Sequence, residues 1–217
     1  MRKCGKGTLL LMSAVMATSL FTGCGKGKSS QAQKNEVYAT IKKSDYMSPD
    51  SEYTETHENK IYATLDKLGI AYQSLHHPAI MTMEEGAEIA QKLGCTSCKS
   101  LFLTNKQQEY FMLLLPANKK LKTKELAGQI GSSHLSFASE KAMENLLCTF
   151  PGAVSILGLI YDKENKVQLL IDKEILESTY IGCHPCVNTC SLKIRLEDIL
   201  KILLPKISHQ NFNIVEL

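Results

Sequence analysis

The chain has 217 residues, 44% of them hydrophobic, which suits one domain with appendages and excludes a disordered chain. Its formal charge of +3 is unevenly placed: of 25 basic and 22 acidic residues, eight and two lie in the first 46, leaving 17 against 20 in the remainder. Composition therefore argues against a broad nucleic-acid-binding face on the globular part, while a local basic patch stays open.

Residues 1–23 have the three-part layout of a secretory signal: a basic start, an apolar run from Thr8 to Phe21, and small residues before Cys24. Fourteen apolar positions are too few to span a bilayer comfortably. The stretch Leu20-Phe21-Thr22-Gly23-Cys24 resembles the lipobox of bacterial lipoproteins, which implies lipidation of Cys24. Residues 24–56 then read as a flexible linker. Two locations stay open: a lipid anchor at Cys24 in the cell membrane if the leader is used, or the cytoplasm if translation starts near Met47.

Regular patterning begins near residue 57. Ile61, Leu65 and Leu68 have helical spacing and Gly69 ends the run, so a helix is expected over about His57 to Leu68. A short strand follows around Tyr72 to Leu75, stopped by Pro78. Thr82 with Glu85 three residues on has capping-box spacing, and opens a second helix that closes at Gly94. "KSLFLTN" and "EYFMLLLP" predict a hairpin of buried strands. "KTKELAGQIG" predicts a short helix, "HLSFA" a strand, and "SEKAMENLL" a helix capped by Ser139. "AVSILGLIYD" and "KVQLLIDKEI" flank a polar turn and read as a second hairpin. "CSLKIR" is a strand, and "LEDILKILL" a last helix ended by Pro205. The pattern predicts a single mixed α+β domain over 57–205, with a curved, largely antiparallel sheet flanked by helices, and a tail over 206–217.

Cysteines are conspicuous: Cys95-Thr-Ser-Cys98 and Cys183-His-Pro-Cys186 each have metal or redox spacing, with Cys148 and Cys190 besides. A zinc site from Cys95, Cys98, Cys183 and Cys186 is one reading, weakened by the 84-residue separation of the two pairs. A redox pair at Cys183 and Cys186 is another, although that chemistry wants a helix N-terminus and this segment leads into a strand. Reduced structural thiols, or a disulfide in an exported chain, are the third.

Several segments fall together in order: "HHPAIMTMEEG", the Lys before "LFL", "LSFAS", "PGAVSILGL" and "HPCVNT". Across about Ile61 to Leu204 the chain resembles the YbaK/prolyl-tRNA editing family of free-standing aminoacyl-tRNA deacylases. The resemblance implies the family's fold and hydrolysis of the ester of a mischarged tRNA, most closely alanyl-tRNA for proline. It also implies a second-sieve pocket for a small amino acid, with the tRNA acceptor end as partner and neither cofactor nor metal. By the same resemblance Lys99 and His184 are the catalytic pair, and Ser100, Gly152, Ile156 and Asn188 bind substrate. On their own chemistry, a lysine at a strand start would present its ammonium at the sheet end, and a neutral imidazole would accept from a water or a ribose hydroxyl. Two positions depart from the pattern: Ser100 stands where this branch has Asn, and Ile156 where the family has Pro. These leave open whether activity is kept, redirected, or lost to leave an anchored binding lipoprotein.

Overall fold

The computed structural model describes residues 51–80 and 82–217, with side chains from residue 56 onward. The leader, Cys24, most of the linker and Met47 lie outside the described residues. No described helix is long and apolar enough to cross a membrane.

Helix α1 spans Ser51–Lys67 and buries Ile61 and Leu65 completely, as their four-residue spacing requires. Strand β1, Tyr72–His76, leads to helix α2, Met83–Leu93. Both arms of the capping box at α2 are made: Glu85 N–H donates to Thr82 Oγ1 at 3.2 Å, and Thr82 N–H to the Glu85 carboxylate at 3.0 Å. Gly94 closes the helix in the left-handed region. The first hairpin forms from β2, Cys98–Thr104, and β3, Tyr110–Pro116, in antiparallel register. Helix α3, Thr123–Ile130, follows, then a two-residue strand β4, Ser136–Phe137. Helix α4, Glu140–Leu147, is capped by the Ser139 hydroxyl as expected.

The second expected hairpin is not formed. Residues Ile156–Ile160 make a buried 3₁₀-helix, started by Ser155, whose hydroxyl accepts from Leu157 N–H at 3.2 Å. An unbroken apolar run suits a buried helical turn as well as a strand, and here the local cap decides. Asp162 then turns the chain by accepting from the backbone of Lys166 and Val167. Strand β5, Val167–Asp172, consequently enters parallel to β3. Strand β6, Tyr180–Cys183, and β7, Cys190–Arg195, bracket the thiol-rich turn. The last helical stretch, 196–206, widens into a π-turn over Ile199–Leu203. The stretch closes at Lys206, one residue past Pro205. The segment read as a tail supplies strand β8, Phe212–Val215, parallel to β5.

The α+β class thus holds, with the strands divided between two sheets. One is antiparallel in the order β1-β7-β6, and the other is mixed in the order β4-β2-β3-β5-β8. Phe102, Met112 and Leu114 from the larger sheet join Ile61, Leu192 and Ile194 in one apolar cluster. Leu103, Phe111, Leu113 and Leu115 face the other way, onto Leu126 of α3. Strand β3 is buried on both faces, which is why it reads as a continuous apolar run. The sheets are stitched by a parallel bridge at Thr96 and Ile181: Thr96 N–H donates to the Tyr180 carbonyl at 2.9 Å, and Gly182 N–H to the Thr96 carbonyl at 3.0 Å.

Candidate active site

That stitch brings the start of β2 beside the end of β6. A cavity of about 700 Å³ opens there, bounded by α2, β2, the residues leading into α4, the Pro151–Val154 loop and β6. Lys99, Ser100, Gly152 and His184, four of the six residues singled out in the sequence, line it together. Ile80, Ile89 and Val154 give it an apolar side, and exposed Met83 and Phe137 stand beside them.

The His184 ring is fixed by its own turn. Its Nδ1 lies 2.8 Å from the Cys190 carbonyl, and a carbonyl only accepts, so Nδ1 carries the proton and Nε2 the lone pair. Burial holds the His184 pKa below the ordinary 6.5, against the raising effect of that carbonyl, so the ring is neutral near pH 7. A second histidine, absent from the sequence-derived set, stands behind it. His77 Nδ1 donates to the Pro78 carbonyl at 2.8 Å, leaving Nε2 to accept from the Ser191 hydroxyl at 2.9 Å. The same hydroxyl oxygen lies 3.5 Å from His184 Nδ1, at the edge of hydrogen-bond range. Burial also lowers the His77 pKa. The signal for His77 was present in the paired histidines before Pro78. Its link to Ser191, however, depends on the pairing of β1 with β7, which is not local.

Lys99 is placed differently from a lysine protruding at a sheet end. Along β2, Cys98 and Phe102 pack with the first apolar cluster, and Leu101 and Leu103 with the second, so Lys99 falls on the second side. Its ammonium donates to the carbonyls of Ala117, at 3.2 Å, and of Lys119. Two of its three protons are thereby used, and two neutral carbonyls leave the charge uncompensated. Burial lowers the Lys99 pKa. Lys119 itself is clamped to the buried Asp172 carboxylate at 2.8 Å and to Glu174 at 2.8 Å.

Gly152 has φ of +90°, a backbone that other residues rarely adopt. The Asn188 amide nitrogen lies 3.8 Å from where its Cβ would stand. Asn188 packs behind the loop, outside the cavity lining, and its carbonyl accepts from Ile80 N–H at 3.1 Å. Ile156 is also outside the lining. It is fully buried in the core as the first residue of the 3₁₀-helix, because its apolar side chain follows the Ser155 cap inward. The departure at Ile156 is therefore a core substitution in this chain, whereas Ser100 faces the cavity.

The two Cys-x-x-Cys segments do meet, but not as a four-thiol site. Cys98 Sγ donates to the Gly182 carbonyl at 3.0 Å, and a Cβ on Gly182 would stand 3.2 Å from Cys95 Sγ. Cys186 points elsewhere, to the Leu147 carbonyl, and lies near Cys148. The four ligand atoms of the zinc reading are thus not gathered. Burial pushes the Cys98 and Cys186 thiols up to about 12 and Cys183 well above its ordinary value, the reverse of a redox-active pair. Cys95, Cys98, Cys183, Cys186 and Cys190 are free thiols.

The profile of the aminoacyl-tRNA editing domain matches residues 77–202, more than half of the chain. The prolyl-tRNA editing protein ProX of Acetoanaerobium sticklandii is 31% identical over 158 residues, covering 72% of this chain and 95% of that protein. Prolyl-tRNA synthetase associated domain-containing protein 1 of Danio rerio is 30% identical over 141 residues, 64% of this chain and 77% of that one. A solved structure described as a candidate trans-editing enzyme for prolyl tRNA synthetase superposes with a TM-score of 0.58. At 15% identity, with 79% of this chain and 98% of that chain covered, it speaks for the fold alone.

Proposed function

Because the chain belongs to the aminoacyl-tRNA editing domain family, we propose that it is a trans-editing deacylase that hydrolyses the ester between a wrong amino acid and the terminal ribose of tRNA. The substrate proposed is alanyl-tRNA for proline, in keeping with the prolyl-tRNA editing relative. The observation that carries the reading is the joining of a neutral, oriented His184 with Lys99, Ser100 and Gly152 in one cavity.

In this reading His184 Nε2 accepts a proton from water as the water oxygen adds to the ester carbonyl. The carbon–oxygen bond to the ribose then breaks, and the proton passes to the ribose oxygen, giving free amino acid and uncharged tRNA. Ser191 and His77 hold the imidazole in place and are positioning residues. Lys99, its ammonium held by the Ala117 and Lys119 carbonyls, supplies positive charge at the cavity for the acceptor-end phosphate. Ser100 offers a hydroxyl where the branch has an amide, a shorter reach with fewer hydrogen-bonding groups. Gly152 lets backbone approach the amino acid closely. The exposed face of Phe137 suits stacking against the terminal base.

The test is deacylation of alanyl-tRNA for proline by the full chain, with the fold of each variant checked by circular dichroism. His184→Ala and Lys99→Ala are each expected to lower the rate by about 100-fold. A correctly folded protein with no activity on any small-amino-acid ester of tRNA contradicts the reading. It would favour the alternative of a binding lipoprotein that keeps the fold without the reaction. We propose separately that Cys24 is acylated in cells and anchors the chain to the membrane. Labelling with a fatty-acid analogue that Cys24→Ala fails to abolish contradicts that part, and absence of any labelling favours the cytoplasmic form starting near Met47.

A further inference from the structure

We propose that Glu58, His76 and Cys190 bind one divalent transition-metal ion of the zinc class, at a site separate from the editing cavity. One carboxylate oxygen, one imidazole nitrogen and one cysteine sulfur already lie within 4.8 Å of one another there. A tetrahedral ion with bonds of about 2.0–2.3 Å needs neighbouring donors roughly 3.5 Å apart. The donors therefore have to close by about 1 Å, which the part-exposed Glu58 and the exposed His76 can do by side-chain rotation. A sulfur and an imidazole among the donors select zinc, cobalt or copper over magnesium or calcium.

The scaffold explains why these three converge. His76 of β1 and Cys190 of β7 are direct cross-strand partners, so sheet register fixes their relation. Glu58 comes from α1, which packs on that sheet through Ile61 and Leu65. One turn along the helix, Tyr62 donates to the Glu58 carboxylate at 2.9 Å, and its oxygen stands 3.3 Å from Cys190 Sγ. Tyr62 is itself held by stacking on Tyr72, with centroids 5.5 Å apart. It is thus an outer partner that orients the carboxylate and can turn its proton toward a thiolate. Metal entry is through exposed His76, and the fourth position is left to solvent. Binding forms the metal–sulfur bond and releases the Cys190 thiol proton to water.

The site is distinct from the cavity because neighbouring residues on both strands face opposite ways. His77 and Ser191 pair with each other near His184, whereas His76 and Cys190 face Glu58 and Tyr62. The two sites nevertheless share Cys190, whose carbonyl accepts a hydrogen bond from His184 Nδ1–H. The proposal does not depend on the editing reaction.

The test is titration of the metal-free full chain with Co²⁺ under reducing conditions, followed by absorption. One equivalent is expected to give tetrahedral ligand-field bands and a sulfur-to-cobalt charge-transfer band, both removed by Zn²⁺. Cys190→Ser should abolish the charge-transfer band, and Glu58→Gln and His76→Ala should each weaken binding by at least about tenfold. His76 is exposed, so His76→Ala decides the matter if Cys190→Ser fails to fold. Cys98→Ser should leave the titration unchanged. Absence of a thiolate–cobalt band, a band of unchanged affinity in His76→Ala, or its loss in Cys98→Ser overturns the proposal.

Discussion

His184 shows how one hydrogen bond sets the chemistry of a residue. With Nδ1 committed to the Cys190 carbonyl, only Nε2 can take a proton, and burial keeps it ready to do so. A lowered pKa means that the neutral form persists to lower pH, so activity should fall on the acid side with a midpoint below 6.5, the ordinary histidine value. The pH dependence of kcat/KM measures this directly, and a midpoint above 6.5 would contradict it. Ser191 acts at one remove. Ser191→Ala takes away the donor to His77 and should cost about 1 kcal/mol of transition-state stabilisation, roughly fivefold in kcat. If its role is positioning, KM stays constant, which steady-state kinetics would show. The motif around His184 was legible in the sequence. The Ser191–His77 link was not, because hydrogen bonds across 114 residues follow from strand register and leave no local pattern.

At the scale of elements, local signals read well and long-range ones did not. Helix α2 was legible because Thr82 and Glu85 write its start into four residues. The run around Ile156 was not, since an apolar segment with no alternation fits either a buried strand or a buried turn, and Ser155 tips it to the turn. Strand β8 has only four residues and is defined by its pairing with β5, so nothing in it marked a strand. The loop after β3 links this level to the site. Its Lys119 is tied to the buried Asp172, and its backbone carbonyl accepts from Lys99. Lys119→Met leaves the Asp172 carboxylate buried without its cation and should lower stability by about 3 kcal/mol in urea unfolding. It should also slow deacylation by loosening the carbonyls that hold Lys99. A variant as stable as the parent would show that Asp172 is satisfied by the backbone N–H groups of Glu174 and Leu217 alone.

For the molecule as a whole, two sheets stitched at Thr96 and Ile181 make a cavity that neither makes alone. Cys95, Cys98 and Cys183, among the most visible features of the sequence, pack around that stitch, and the residues beside them carry the proposed chemistry. Ser100 and Ile156 both looked like changes to the pocket. Of the two, only Ser100 lines it, while Ile156 is buried in the core. We propose that this cavity acts as a sieve for a small amino acid on tRNA. Single-turnover hydrolysis by the full chain, with alanine and proline each charged on the same proline tRNA, tests it most directly. Rapid loss of the alanyl ester and sparing of the prolyl ester are expected. Equal rates for the two, or no hydrolysis of either by folded protein, would contradict it.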